Sequence, residues 1–288
     1  LTPAFTGCPA FAGHDSNKIE QRYDIKGFFP MRINANGITF NYQIDGPEGA
    51  PWLVFSNSLA TNLSMWDEQA ASLKKAFRVL RYDQRGHGGT QATDGRYTFD
   101  LLAADVAALF DALSIKRAHV LGISMGGMTA LAFAQHYPER VDRLIPCDCG
   151  PASSPASAQQ WEERIAIAEK QGMEPLVEPT ARRWFPPEFV EANPAVFNKT
   201  CEMIRTTPVK GFVGCAGALA NYDLRPGLAG IKAPTLLIVG TKDATVPGIK
   251  AINAAISGSQ VAELEGAGHL SNLEKPEAFT RAVQDFLS

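Results

Sequence analysis

The chain has 288 residues, a formal net charge of 27 − 30 = −3, and 45% hydrophobic, 9% aromatic and 20% charged side chains. That balance excludes a disordered chain and leaves no electrostatic footprint for nucleic acid. No run of 18 apolar residues occurs, so no membrane span or membrane partner is expected, and the length suffices for a sizeable core.

Residues 1–30 are rich in Pro, Gly, Ser, Asn and Asp and hold no apolar period. They lack a charged stretch followed by an apolar one, so they read as an extension and not as a secretory signal. The fold is expected to open at Met31. Ile38 to Ile44 alternates apolar with polar, as a half-exposed strand does. Trp52-Leu53-Val54-Phe55 is a continuous apolar run, the pattern of a strand buried on both faces. Arg78 to Tyr82 is strand-like and stops at the turn Asp83-Gln84-Arg85-Gly86-His87-Gly88. Leu102, Val106, Leu109, Phe110 and Leu113 recur at three and four, one face of a helix that Thr98 can cap.

His119 to Ile123 is another buried strand, and Met125 to His136 a helix crowded with small residues. Arg143 to Cys147 follows as a strand, with Pro146 arguing for a break near its end. Thr235 to Val239 is the most β-like run of the chain, and Val261 to Leu264 a short strand. The last helix starts with Pro276 at its first position and buries Phe279, Val283, Phe286 and Leu287. Strands alternating with helices predict an α/β fold: a mostly parallel central sheet with helices on both faces.

Residues 150–230 break that alternation. Their apolar spacing is helical, and eight prolines from Pro151 to Pro208 divide them into short pieces. They read as a helical cap over the carboxyl edge of the sheet, where such folds bind ligands. The expected division is an extension at 1–30, a core of 31–149 and 231–288, and a cap of 150–230.

The sharpest local signal is Gly122-Ile123-Ser124-Met125-Gly126, a G-x-S-x-G between a strand and a helix. A nucleophile on so tight a turn needs room two residues to either side, which Gly122 and Gly126 give. The turn lifts Ser124 Oγ above the sheet and aims the Met125 N–H at a substrate oxygen, at the start of a helix whose dipole favours negative charge.

A serine hydroxyl needs a base. Of five histidines, His269 sits in the loop Gly266-Ala267-Gly268-His269-Leu270 between the last strand and the last helix, where it can reach over the sheet. His269 is the favoured base and His87 its rival. Asp243, just past the strand ending at Val239, is the favoured acid, and Asp148, ending the preceding strand, is its rival. The spacings are 243 − 124 = 119 and 269 − 243 = 26. The order Ser, Asp, His is that of α/β-hydrolases. The second oxyanion donor is assigned to the N–H of Leu59, in the loop after Phe55.

The five cysteines form no disulfide framework, and Cys147 and Cys149 fit one buried face of a strand. No second Cys or His pair lies near them at ligand spacing, so no metal is expected. The expected setting is reducing and cytoplasmic.

Together these residues resemble a family. Ser56-Asn57-Ser58-Leu59 with Met65-Trp66-Asp67, then Arg81 to Gly88, then Gly122 to Met128, look like the α/β-hydrolase branch that contains the 3-oxoadipate enol-lactonases. The resemblance runs from about residue 31 to the end and takes in Arg183-Trp184-Phe185-Pro186. Two departures bear on the substrate. Ala60 stands where that branch usually has glycine, and Cys147-Asp148-Cys149-Gly150 where it usually has a more apolar segment with Asn and Thr.

The resemblance implies opening of an enol-lactone, or hydrolysis of a related small ester, through an acyl-enzyme on Ser124, a mechanism that needs no cofactor. Because that lactone carries a carboxylate, a basic group should face the pocket, and Arg183 beside Trp184 is the candidate. Trp66 and Trp161 are candidates for an apolar wall, with core packing as the plainer account. The same triad would serve a general carboxylesterase, a perhydrolase or a C–C bond hydrolase, and a non-catalytic receptor is the remote alternative. Ser124 argues against dehalogenase or epoxide hydrolase chemistry, which would need a carboxylate there.

Overall fold

A computed structural model describes residues 31–288; the expectations for residues 1–30 fall outside the described residues. β1 (Met31–Ala35) and β2 (Ile38–Asp45) pair as a hairpin across Asn36-Gly37. Both turn residues have positive φ, 44° and 75°, the reason an Asn-Gly pair suits a two-residue hairpin. β2 then runs antiparallel to β4 (Arg78–Tyr82).

The remaining neighbours are parallel: β3 (Trp52–Ser56), β5 (Ala118–Ile123), β6 (Val141–Cys147), β7 (Leu236–Gly240) and β8 (Gln260–Leu264). Among the described residues the sheet order is β1-β2-β4-β3-β5-β6-β7-β8. From β3 the chain moves outward to β4, then returns to the other side of β3 as β5. That reversal opens a crevice at the carboxyl ends of β3 and β5, where open α/β sheets bind ligands.

Pro146 lies inside β6 and does not end it. Its cost appears in the neighbouring ladder. β6 meets β7 only at Leu144 with Thr235 and at Cys147 with Ile238, and the gap between falls where proline has no N–H to donate.

α1 (Asp67–Leu73) packs with the final helix α12 (Pro276–Leu287), and α2 (Phe99–Ala112) packs with α3 (Met125–His136). The Thr98 hydroxyl caps α2 by accepting the Leu101 N–H. α10 (Val246–Ala255) lies on β7, and the one-turn helix α11 (Ser271–Glu274) leads into α12.

Between β6 and β7 the chain is helical: α4 (Pro155–Gln171), α5 (Glu174–Trp184), α6 (Pro187–Ala192), α7 (Pro194–Arg205), α8 (Val209–Ala220) and the short α9 (Arg225–Leu228). Pro155, Pro187 and Pro194 open helices at the position where a missing N–H is harmless. Pro179 departs from the reading of prolines as dividers: it sits within α5, which runs through it one hydrogen bond short. α8 reaches the β4 side through a glycine contact. A Cβ on Gly211 would fall 1.8 Å from the Gly86 carbonyl oxygen, and one on Gly86 2.3 Å from the Gly211 Cα.

Candidate active site

Ser124 caps α3 with φ 56° and ψ −120°, a conformation that L-residues rarely adopt. The flanking glycines explain how it is held. A Cβ on Gly122 would lie 2.1 Å from the Gly126 carbonyl oxygen, and one on Gly126 2.1 Å from that of Ser56. The elbow is thus packed backbone to backbone, against itself and against the end of β3.

His269 Nε2 lies 2.8 Å from Ser124 Oγ, and His269 Nδ1 lies 2.9 Å from Asp243 Oδ2. Asp243 Oδ2 also accepts the Thr245 hydroxyl, which fixes the carboxylate's rotation. The loop that carries His269 is held from three sides. Its N–H donates to the Trp184 carbonyl at 2.8 Å. The Gly268 N–H donates to the buried Glu274 carboxylate at 2.9 Å. Gly240 leaves no space between β7 and this loop, since a Cβ there would lie 2.2 Å from the Gly268 carbonyl oxygen.

Burial alone would lower the His269 pKa; the Asp243 carboxylate, by charge and hydrogen bond, overcomes this and holds it above the ordinary imidazole value. Burial would correspondingly raise Asp243, and the paired imidazole, by charge and hydrogen bond, holds it below the usual carboxylate range.

The rivals fall elsewhere. His87 is fully buried, and the Ala60 N–H donates to its Nε2 at 2.9 Å while its Nδ1 lies 3.1 Å from the Arg85 carbonyl. Both ring nitrogens are committed to backbone, and burial pushes its pKa down to about 4. It braces the loop after β3 as a neutral imidazole. Asp148 lies behind Asp243 and makes no hydrogen bond to His269; its oxygens take the Gly240 N–H and the Ser271 hydroxyl.

The loop after β3 brings Leu59 beside Ser124 in the cavity wall. Met125 opens α3, so its N–H has no acceptor within the helix. Leu59 and Met125 thus follow β3 and β5, the two strands whose carboxyl ends bound the crevice. Ala60 has φ 55°, the left-handed region in which glycine carries no penalty.

Trp66 is corrected to a core residue. It is wholly buried between Phe55 and Phe279, at centroid distances of 4.9 and 6.1 Å, and does not line the cavity. Its indole N–H donates to Asn57 Oδ1 at 3.0 Å, so it steadies the loop after β3 from behind. The sequence signal was present in the turn: Leu63–Trp66 is a 3₁₀ segment whose last two residues, Met65 and Trp66, both face inward.

A cavity of about 710 Å³ opens over Ser124 and His269. Trp161, Arg183 and Trp184 line it, and so does Arg164, a residue the sequence reading missed. The signal was helical spacing, because Arg164 follows Trp161 by three residues and must share its face. The Arg164 guanidinium stacks 4.6 Å from the Trp161 ring centroid and that of Arg183 lies 5.9 Å from it. Neither arginine has an ion-pair partner among the described residues, and Arg164 Nη1 is buried with no hydrogen-bond partner. Burial, and then the neighbouring Arg183 charge, push Arg164 down to about 9; burial also lowers Arg183. The Trp184 ring stacks on His269 at 6.2 Å, so Trp184 meets both the cavity and the imidazole.

Residues 51–276 match the family described as the alpha/beta hydrolase fold. The chain belongs to the α/β-hydrolase family. This hydrolase is 39% identical over 258 residues to 3-oxoadipate enol-lactonase 2 of Acinetobacter baylyi, covering 89% of this chain and 96% of that protein. Its fold superposes with a TM-score of 0.86 on the enol-lactonase from Burkholderia xenovorans, at 41% identity over 89% of this chain and 99% of that one. A thermophilic esterase from Thermogutta terrifontis with malate bound is similar at a TM-score of 0.84 and 29% identity, over 90% and 98% of the two chains. No helix among the described residues is long and apolar enough to cross a membrane.

Proposed function

We propose that this hydrolase opens a lactone, or cleaves an ester, whose acyl part carries a carboxylate, as an enol-lactonase does. The observation that carries the reading is the hydrogen-bonded chain Ser124–His269–Asp243 at the base of a cavity whose far wall holds two arginines without counter-charge. Similarity to two enol-lactonases over almost their whole lengths supports the same substrate class. The helices between β6 and β7 serve as the cap.

In the first half-reaction His269 Nε2 takes the Ser124 Oγ proton as Oγ attacks the carbonyl carbon. The N–H groups of Leu59 and Met125 hold the developing oxyanion, each contributing about 3 kcal/mol to the transition state. Asp243 fixes the imidazole tautomer and stabilises its charged form. His269 then returns the proton to the leaving oxygen, which in a lactone stays tethered to the acyl chain. In the second half-reaction His269 deprotonates a water that attacks the acyl-enzyme, and Ser124 is released. The guanidiniums of Arg164 and Arg183 receive the substrate carboxylate.

A second reading as an esterase of neutral esters draws on the apolar part of the wall, where Leu59, Met128, Phe185 and Leu219 lie. One assay series separates them: kcat/KM for a carboxylated enol-lactone beside neutral p-nitrophenyl esters of increasing length. The lactonase reading expects the anionic lactone to be preferred; a uniform preference for neutral esters overturns it. Ser124→Ala should lower kcat on p-nitrophenyl acetate by on the order of 10⁶. An unchanged rate would remove the serine mechanism altogether.

A further inference from the structure

The Asp148 carboxyl takes no part in the steps above, yet it occupies the position behind all of them. β6 ends at Cys147, and Asp148 turns the chain with φ 45°. Its side chain is wholly buried. Oδ1 accepts the Gly240 N–H at 2.9 Å, three residues before Asp243. Oδ2 accepts the Ser271 hydroxyl, two residues after His269. The two oxygens of one carboxyl thus hold the two loops that carry the acid and the base.

We propose that Asp148 is a positioning residue of the triad, locking the acid loop to the histidine loop and giving His269 a second carboxylate when it ionises. The inference rests on the Ser124–His269–Asp243 reading.

The titratable and charged groups facing Asp148 come from several elements. Asp243 lies past β7, His269 and Glu274 follow β8, and the Cys147 and Cys149 thiols flank Asp148 in its own segment; Arg183 acts on His269 from α5. Burial pushes both thiols far up, which keeps them neutral. Burial, and then the Asp243 charge, push Asp148 up to about 8, against the pull of charged His269 and the two hydrogen bonds. Burial also raises Glu274, to about 7.

The sign follows from the order of titration. Activity first rises with pH as His269 becomes neutral and able to take the Ser124 proton. Asp148, buried beside the Asp243 charge, keeps its own proton well above the ordinary carboxylate range and loses it only in the alkaline limb, after His269 has become neutral. The added negative charge then stabilises the imidazolium that forms during attack, so the rate rises a second time. One unit of imidazole pKa corresponds to about a tenfold effect, which sets the expected size of the step.

The test is the pH profile of kcat/KM for p-nitrophenyl acetate, with Ser124→Ala as the blank for hydroxide hydrolysis. Wild type should show both rises. Asp148→Asn keeps an oxygen for the Gly240 N–H and should keep the first rise while losing the second. Glu274→Gln should retain the second, which separates the two buried carboxyls. Asp148→Ala should lower kcat more than KM across the range, with Asp148→Asn recovering most of the loss at pH 7. Superimposable profiles of wild type and Asp148→Asn overturn the proposal, as does loss of the alkaline step in Glu274→Gln alone. Should Asp148→Ala not fold, the Asn profile decides by itself. Failure of the underlying triad reading is distinct, because it would appear as activity retained in Ser124→Ala.

Discussion

On the sheet side of the cavity Ser124, His269 and Asp243 are held in a chain of hydrogen bonds; on the helical side two guanidiniums face the same space without an ion-pair partner among the described residues. Ser124, His269 and Asp243 each have a partner within 2.9 Å, and the elbow beneath them is glycine packed on backbone. Arg164 and Arg183 share one indole and no carboxylate. The first arrangement is complete without a ligand. The second is left with uncompensated positive charge, which an anionic ligand would satisfy. Under the proposed function, chemistry and selectivity belong to different regions, and substitutions should separate them.

The largest expected effect is on the sheet side. Asp243→Asn would favour the wrong tautomer of His269 and lower kcat by on the order of 10⁴, measured by steady-state hydrolysis of p-nitrophenyl acetate. Asp148→Asn should cost far less at neutral pH; the reverse ranking would make Asp148 the triad acid. On the helical side, Arg164→Gln and Arg183→Gln should each raise KM for a carboxylated lactone by about tenfold to a hundredfold, the scale of a lost charged hydrogen bond. KM for a neutral ester should stay within about twofold in the same assays. Equal effects on both substrates would collapse the distinction between the two walls. The smallest effect sharpens the account of the sheet side. Ala60→Gly removes the side chain from a residue at φ 55° and should stabilise the fold by up to about 1 kcal/mol in urea unfolding. A loss of stability would mean that the Ala60 methyl packs better than its backbone strain costs.

The sheet side was the more readable region in the sequence, and the reason is physical. A nucleophile elbow is a local backbone problem, solved within the five residues Gly122 to Gly126, so its solution is contiguous in the chain. That Ser124, His269 and Asp243 come together was readable because the loops that follow parallel strands emerge at the same edge. Trp66 was misread because an aromatic beside an oxyanion loop can face the pocket or the core, and only its stacking between Phe55 and Phe279 decides. Arg164 was missed because its role depends on which face α4 turns to the cavity. That orientation is set by the packing of α4 on α8, nearly fifty residues further along. Pro146 and Pro179 were read as breaks because proline's local cost is plain in sequence. The neighbouring strands and helices that absorb the cost are not.

The contact between Gly86 and Gly211 has a consequence for redesign. α8 contributes Leu219 to the cavity wall, and its height above the sheet is fixed where two backbones touch with no side chain between them. A methyl group at either glycine would force these backbones apart, and at Gly86 it would also meet a φ of 75° that L-residues rarely adopt. The shape of the chamber wall thus depends on a contact that none of its lining residues makes.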